Sequence, residues 1–222
     1  MSTISYDASG AAQQAIAQNI SSLVDDKVAT RIFAKDHTLW GPEAESESAI
    51  RLGWVEAAAV SQPLVESILE LRDALRAEGV SRIVLCGMGG SSLAPEVIAG
   101  TAGVELTVLD STDPEQVNAA LTDRLVETAI VVSSKSGSTV ETDSQRRVFE
   151  KAFNDAGIDA KSRIIIVTDP GSPLDKASRE AGYRAVFNAD PNVGGPVLCA
   201  HGIRACPMWP GWRGYPGFPG RS

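Results

Sequence analysis

Four short runs set the strongest limit on how this chain folds: Ile83-Val84-Leu85-Cys86, Leu106-Thr107-Val108-Leu109, Ala129-Ile130-Val131-Val132 and Ile164-Ile165-Ile166-Val167. A fifth follows at Arg184-Ala185-Val186-Phe187. Turns rich in glycine, serine or aspartate and stretches of helical character separate them. A strand that is apolar at nearly every position has no face to give to water, so its sheet must be covered on both sides. The expected fold class is therefore α/β, a doubly wound, mainly parallel five-stranded sheet, with right-handed crossovers between strands. Such sheets bind ligands at the carboxyl ends of their strands, and two Gly/Ser-rich turns fall there.

Residues 1–80 read differently, as an N-terminal helical extension. Ile50 and Trp54 stand one helical turn apart, as do Leu52 and Val55. Pro63 suits the first position of a helix. Leu64, Ile68, Leu71 and Leu75 then form an apolar stripe, and Gly79 is placed to end it. This pattern is packing, without chemistry of its own. The division expected is thus 1–80 for the extension, 81–195 for a ligand-binding α/β domain and 196–222 for a tail.

Charge and composition exclude several function classes. The net charge is −8, without the clustered Lys and Arg that a nucleic-acid backbone requires. No apolar run approaches the roughly 18 residues that span a bilayer, and residues 1–17 lack the pattern of a secretory signal. A cytoplasmic location follows as the expectation. Cys86, Cys199 and Cys206 have no metal-type spacing, and an odd count argues for reduced thiols. His37 and His201 are the only histidines, and neither belongs to a readable catalytic triad. No metal site is expected from these residues.

The two turns carry the chemistry. The first, Gly87-Met88-Gly89-Gly90-Ser91-Ser92-Leu93, lets backbone approach a ligand. Ser92 stands where a dinucleotide fingerprint has its third glycine, and no Gly-Lys-Ser/Thr follows. The second, Ser133-Ser134-Lys135-Ser136-Gly137-Ser138-Thr139, offers five hydroxyls within seven residues directly after a buried strand. One hydroxyl can cap the helix that follows near Thr139, but five exceed what a cap needs. Hydroxyls and amides converging on a helix N-terminus suit a phosphate monoester dianion. Glu141 and Thr142 lie just inside that helix. The glutamate complements the helix dipole and is also a candidate to meet a sugar hydroxyl or a water.

Together the turns resemble a known family. Gly87-Met88-Gly89-Gly90-Ser91-Ser92-Leu93-Ala94-Pro95 resembles the glycine-rich loop of glucose-6-phosphate isomerases. Ser133 to Thr142 resembles their Ser-Lys-x-x-x-Thr-x-Glu-Thr phosphate loop, and both mark the sugar isomerase (SIS) domain. Residues 34–42 and Arg51-Leu52-Gly53-Trp54 resemble the leader of the bacterial, actinobacterial-type branch, which includes fusions behind a transaldolase domain, and Asp190-Pro191-Asn192-Val193-Gly194-Gly195 resembles the run that opens the second half of the family's catalytic region. The resemblance implies phosphate contacts from Ser134, Lys135 (chiefly its backbone), Ser136 and Thr139. It implies that Gly90 and Ser91 approach the sugar, and that Glu141 is a substrate-proximal carboxylate. It also implies interconversion of glucose 6-phosphate and fructose 6-phosphate in glycolysis and gluconeogenesis with no metal or organic cofactor, a small-molecule sugar phosphate as partner, and a homodimer for full-length relatives. A non-catalytic sugar-phosphate-binding SIS module and a fragment of a transaldolase fusion are the alternative readings. Residues 34–54 look like the isomerase.

The match breaks after Gly195. The family pattern continues with Arg, an aromatic and Ser, whereas Pro196 stands here. Residues 196–222 hold five Pro, five Gly and no Asp or Glu. That composition is expected to be disordered. Dropping the first nucleotide of the Pro196 codon lets residues 196–203 read Arg-Tyr-Ser-Val-Leu-Thr-Ala-Phe, so the departure reads as a frameshift, and the catalytic set as incomplete. Sequencing the gene across codons 190–200 tests this.

Overall fold

The apolar runs become a single sheet because each has an apolar partner beside it and helices above and below. A computed structural model of the chain describes residues 7–193. The strands are β1 (Arg82–Gly87), β2 (Thr107–Leu109), β3 (Thr128–Ser133), β4 (Ile164–Thr168) and β5 (Ala185–Asn188), in the order β2-β1-β3-β4-β5. Every pairing is parallel, with Val84 opposite Thr107 and Ile130, Val131 opposite Ile165, and Val167 opposite Phe187. All residues of β1, β3 and β4 are buried, as continuous apolar runs require.

The helices are α1 (Gly10–Asp25), α2 (Val28–Phe33), α3 (Pro42–Ser48), α4 (Ala57–Ser61), α5 (Val65–Ala77), α6 (Gly90–Ala102), α7 (Pro114–Thr122), α8 (Val140–Asp155) and α9 (Pro173–Ala181). Alternation along the strands sends Ile83, Leu85, Ala129, Val131, Ile165 and Val167 to one face. There they pack with Ile68, Leu71 and Leu75 of α5 and Ala99 of α6. The other face sends Val84, Cys86, Ile130, Val132, Ile164 and Ile166 against Ala120 of α7 and Phe149 and Phe153 of α8. Both phenylalanines are fully buried, so truncating either to alanine costs about 3–5 kcal/mol.

The chain divides into two compact units between Val55 and Glu56. Helices α4 and α5 therefore belong with the sheet, although the sequence places the domain boundary at residue 80. The stripe on α5 is buried as its spacing predicts. Residues 50–55 do not form the helix that their spacing predicts. Only a single 3₁₀ turn at Gly53–Glu56 forms, and Ile50 and Trp54 stay 48% and 43% exposed. Gly53 has low helix propensity, and so short a run cannot repay the cost of nucleation. In the first unit, the Asp36 carboxylate accepts from the Thr38 amide at 3.0 Å and from Arg31 Nε at 2.6 Å.

Among the described residues, no helix is long and apolar enough to cross a membrane. The tail expected at 196–222 lies outside the described residues.

Candidate functional site

The strand order locates the site. From β1 the chain crosses to β2 on one side, and β3 then lies on the other side of β1. The connections leaving β1 and β3 part in opposite directions, which opens a crevice at the carboxyl ends of this pair. Gly87 and Ser133 are direct partners in the register, so the two turns start side by side.

The first turn needs glycine at two positions for two reasons. A Cβ on Gly87 would lie 3.0 Å from the Ser91 carbonyl oxygen, so the start of α6 would have to give by a few tenths of an ångström. Gly89 has φ 55° and ψ −119°, a region costly for other residues. The turn then binds itself. The Ser92 and Leu93 amides donate to Gly89 O at 2.9 and 3.0 Å, Ser91 N donates to Met88 O at 3.2 Å, and the buried Ser92 hydroxyl donates to Gly89 O at 2.9 Å. The amides that an anion would meet at residues 91–93 are thus already engaged. Gly90 and Ser91 sit in the first turn of α6, with Ser91 buried.

The second turn is open in a different way. Ser134 N–H extends the sheet by donating to Val167 O at 3.0 Å. Ser134 Oγ and Thr139 Oγ1 are hydrogen-bonded at 3.0 Å, and the Gly137 amide donates to Ser134 Oγ at 3.2 Å. Ser136 and Ser138 form a second hydroxyl pair at 2.8 Å. Ser133 ends β3 and is buried. The five hydroxyls therefore resolve into two facing pairs and one strand residue. Thr139 is the N-cap of the 16-residue α8 yet makes no side-chain cap bond. Its hydroxyl turns to Ser134 instead, at the positive end of the helix dipole.

Lys135 does not reach into this mouth. Its ammonium donates to Asp169 Oδ2 at 2.7 Å and to Pro191 O at 3.0 Å. Its carbonyl accepts from Asp169 N–H and Thr168 Oγ1, both at 3.3 Å. Gly137, at φ 69°, lies so close to α9 that a Cβ there would stand 2.6 Å from Leu174 Cβ.

Glu141, half-buried, faces a groove of about 530 Å³ between α7 and α8, lined also by Ser111, Val117, Leu121, Val140 and Gln145. Gln145 Nε2 donates to Ser111 O at 2.9 Å and so ties α8 to the turn after β2. Sequence reasoning missed Asp169, Leu174 and Gln145. The Asp that follows β4 at a carboxyl end is the one signal that could have found any of them.

His37 Nε2 stands 3.4 Å from Glu45 within the first unit. Cys86 is fully buried, and burial pushes its thiol up to about 12. Among the described residues, no group of three or more His, Cys, Asp or Glu is placed to hold a metal ion. His201, Cys199 and Cys206 lie outside the described residues.

No family model matches the chain. Curated relatives do. It is 34% identical over 121 residues to a glucose-6-phosphate isomerase of Cyanothece sp., covering 51% of this chain and 23% of that protein. It is 36% identical over 123 residues to the glucose-6-phosphate isomerase of Thermosynechococcus vestitus, covering 52% and 23%. The glucose-6-phosphate isomerase of Geobacter sulfurreducens is 34% identical over 129 residues, covering 54% and 24%. The chain thus spans about a quarter of the length of these relatives. Among solved structures, a hypothetical protein of Thermus thermophilus superposes with a TM-score of 0.66 at 28% identity, covering 88% of this chain and 45% of that one. A glucose-6-phosphate isomerase of Chlamydia trachomatis shares the fold, with a TM-score of 0.58 at 22% identity over 80% of this chain and 34% of its own. The chain resembles glucose-6-phosphate isomerases in sequence, and its fold is the α/β sandwich of the SIS type.

Proposed function

We propose that the crevice between β1 and β3 is a hexose-phosphate site, the phosphate-holding half of a glucose-6-phosphate isomerase. One observation carries this reading: the Ser134 and Thr139 hydroxyls, 3.0 Å apart, meet at the start of a 16-residue helix whose N-cap side chain is not used as a cap. Hydroxyl hydrogens rotate to suit a ligand, and the helix end favours a dianion. Ser134, Ser136 and Thr139 hold the phosphate oxygens by hydroxyls, and Lys135 contributes its backbone. Gly90 and Ser91 bring the first turn to the sugar. Glu141 accepts from a sugar hydroxyl.

The reaction proposed for the whole protein is aldose–ketose isomerisation. The sugar ring opens, a base takes the proton from C2, and an enediolate forms. The same proton is then delivered to C1, so that glucose 6-phosphate becomes fructose 6-phosphate with no gain or loss of atoms. This needs a base that reaches both carbons and a cation beside the developing oxyanion. Pro196 stands where the resembled pattern has arginine. For this chain the proposal is therefore binding without turnover.

Fructose 6-phosphate should raise the melting temperature of the full chain, and Ser134→Ala with Thr139→Ala should abolish the rise. An assay coupled to glucose-6-phosphate dehydrogenase should read at background. No protection at millimolar ligand would overturn the site, and clear turnover would overturn the loss of catalysis.

A further inference from the structure

Lys135 is the one basic residue between Ser133 and Thr139, and an anion site with a single cation invites the reading that this cation neutralises the phosphate. The geometry points elsewhere. We infer that Asp169 is the positioning residue of the second turn, and that the Lys135 ammonium is a strut of that turn rather than the counter-ion of the ligand. The inference rests on the sugar-phosphate reading and deepens it.

Two of the three ammonium N–H groups have partners, Asp169 Oδ2 at 2.7 Å and Pro191 O at 3.0 Å. Both side chains of the ion pair are largely shielded, at 23% and 20% exposure, so solvent screens them less than a surface pair. The second carboxylate oxygen, Asp169 Oδ1, is buried and has no hydrogen-bond partner. If the ammonium swung toward a phosphate, Asp169 would keep a shielded charge with its one strong partner gone. Breaking such a pair costs more than forming it gains. The ammonium stays with Asp169.

The same segment also grips the main chain of the second turn. Val167 O takes the Ser134 amide, and the Asp169 amide and Thr168 hydroxyl both bond Lys135 O. Leu174 closes on Gly137. The segment is itself fixed, because Thr168 Oγ1 and Ser172 Oγ are bonded at 2.9 Å and Gly171 N–H donates to Asp175 Oδ2 at 2.8 Å. The strand-to-helix turn after β4 is thus a mould for the turn after β3. It aims the hydroxyls and amides, and it cancels the one charge those groups carry. A phosphate held there is held by neutral donors and a helix end.

The test uses the full chain with Asp169→Asn, Lys135→Met, the double variant and Lys135→Arg. Calorimetry reads fructose 6-phosphate binding, and amide hydrogen exchange without ligand reads the turn. Misaiming the donors should weaken binding about tenfold in each of Asp169→Asn and Lys135→Met. The double variant should bind no worse than Lys135→Met, because the two changes remove one interaction. Lys135→Arg, which can still donate to Asp169, should restore binding. Exchange should quicken at residues 134–139 while β1 and β4 keep their protection. A counter-ion predicts the opposite sign for Asp169→Asn, which would free the cation and tighten binding. That result, or additive losses, or a failed rescue by arginine, overturns the inference. If the unaltered protein does not bind fructose 6-phosphate, the site reading fails. The exchange data then decide the strut alone, and an unchanged rate at 134–139 in Asp169→Asn refutes it.

Discussion

The two turns at the crevice are equally rich in small residues, yet they are held by different means. The turn after β1 holds itself: its amides and the Ser92 hydroxyl bond carbonyls no more than four residues away. The turn after β3, beyond its own hydroxyl pairs and the Gly137 amide bond to Ser134 Oγ, is held from outside, by Asp169 on the neighbouring strand-to-helix connection and by Leu174 at the start of α9. The first can be rigid without its neighbours, whereas the second takes its shape from residues some 34 positions later. Donors aimed at a ligand are free for it only if something else holds the backbone that carries them. Under the proposed function, the grip on an anion falls to the second turn and the close approach of backbone to the first.

Breaking the external mould should have the largest effect. Gly137→Val adds a side chain in the left-handed region, where the Cβ would also meet Leu174 N at 2.8 Å, a backbone atom that cannot turn aside. Strain and overpacking together should cost about 3–5 kcal/mol, read as a shifted denaturant midpoint, with loss of fructose 6-phosphate binding. Gly89→Ala tests the self-held turn. Nothing lies within 4 Å of its added Cβ, so only backbone strain acts, at about 1–3 kcal/mol. Phosphate binding should weaken less than in Gly137→Val. An equal loss in both variants would erase the contrast between the turns. Ser92→Ala should be smaller still, about 1 kcal/mol for one buried hydrogen bond, measured by the same unfolding curves.

The same distinction explains what could be read from the sequence. Strands β1, β3 and β4 were legible because they read as near-continuous apolar runs, and both turns because their residue types are rare in combination. The buried stripe of α5 was legible from its helical period. The Lys135–Asp169 pair was not, because two charges separated by 34 residues meet only once β3 and β4 are paired in register. Arg82 is a second case. Its position at the head of β1 gives no hint that its guanidinium is buried and donates to Ala120 O and Asp123 O, at 2.8 and 2.6 Å, as α7 ends. Residues 50–55 show the converse failure, a helical spacing too short to make a helix.

The two turns should also fail at opposite ends of the pH scale. Asp175 fixes the mould under the second turn, and its carboxyl is held below the usual range by the Asn188 amide, then by the Gly171 N–H and Arg179. A lowered folded value means that its stabilisation is whole above the unfolded carboxylate range, about 3.9, and is lost as pH falls through the folded value. Cys86 leads into the first turn. Burial raises its thiol from 9.0 to about 12, so the neutral form contributes fully below pH 9 and that contribution is lost as pH rises toward 12. Neither group changes state near pH 7, so the effect there is nil. Amide exchange should show residues 134–139 loosening before 87–93 in acid, and the reverse order in alkali. Asp175→Asn should flatten the acid response of the second turn, and Cys86→Ala the alkaline response of the first. Loss of both turns together at either end would show that the crevice melts as one body, and the division of labour between its walls would not stand.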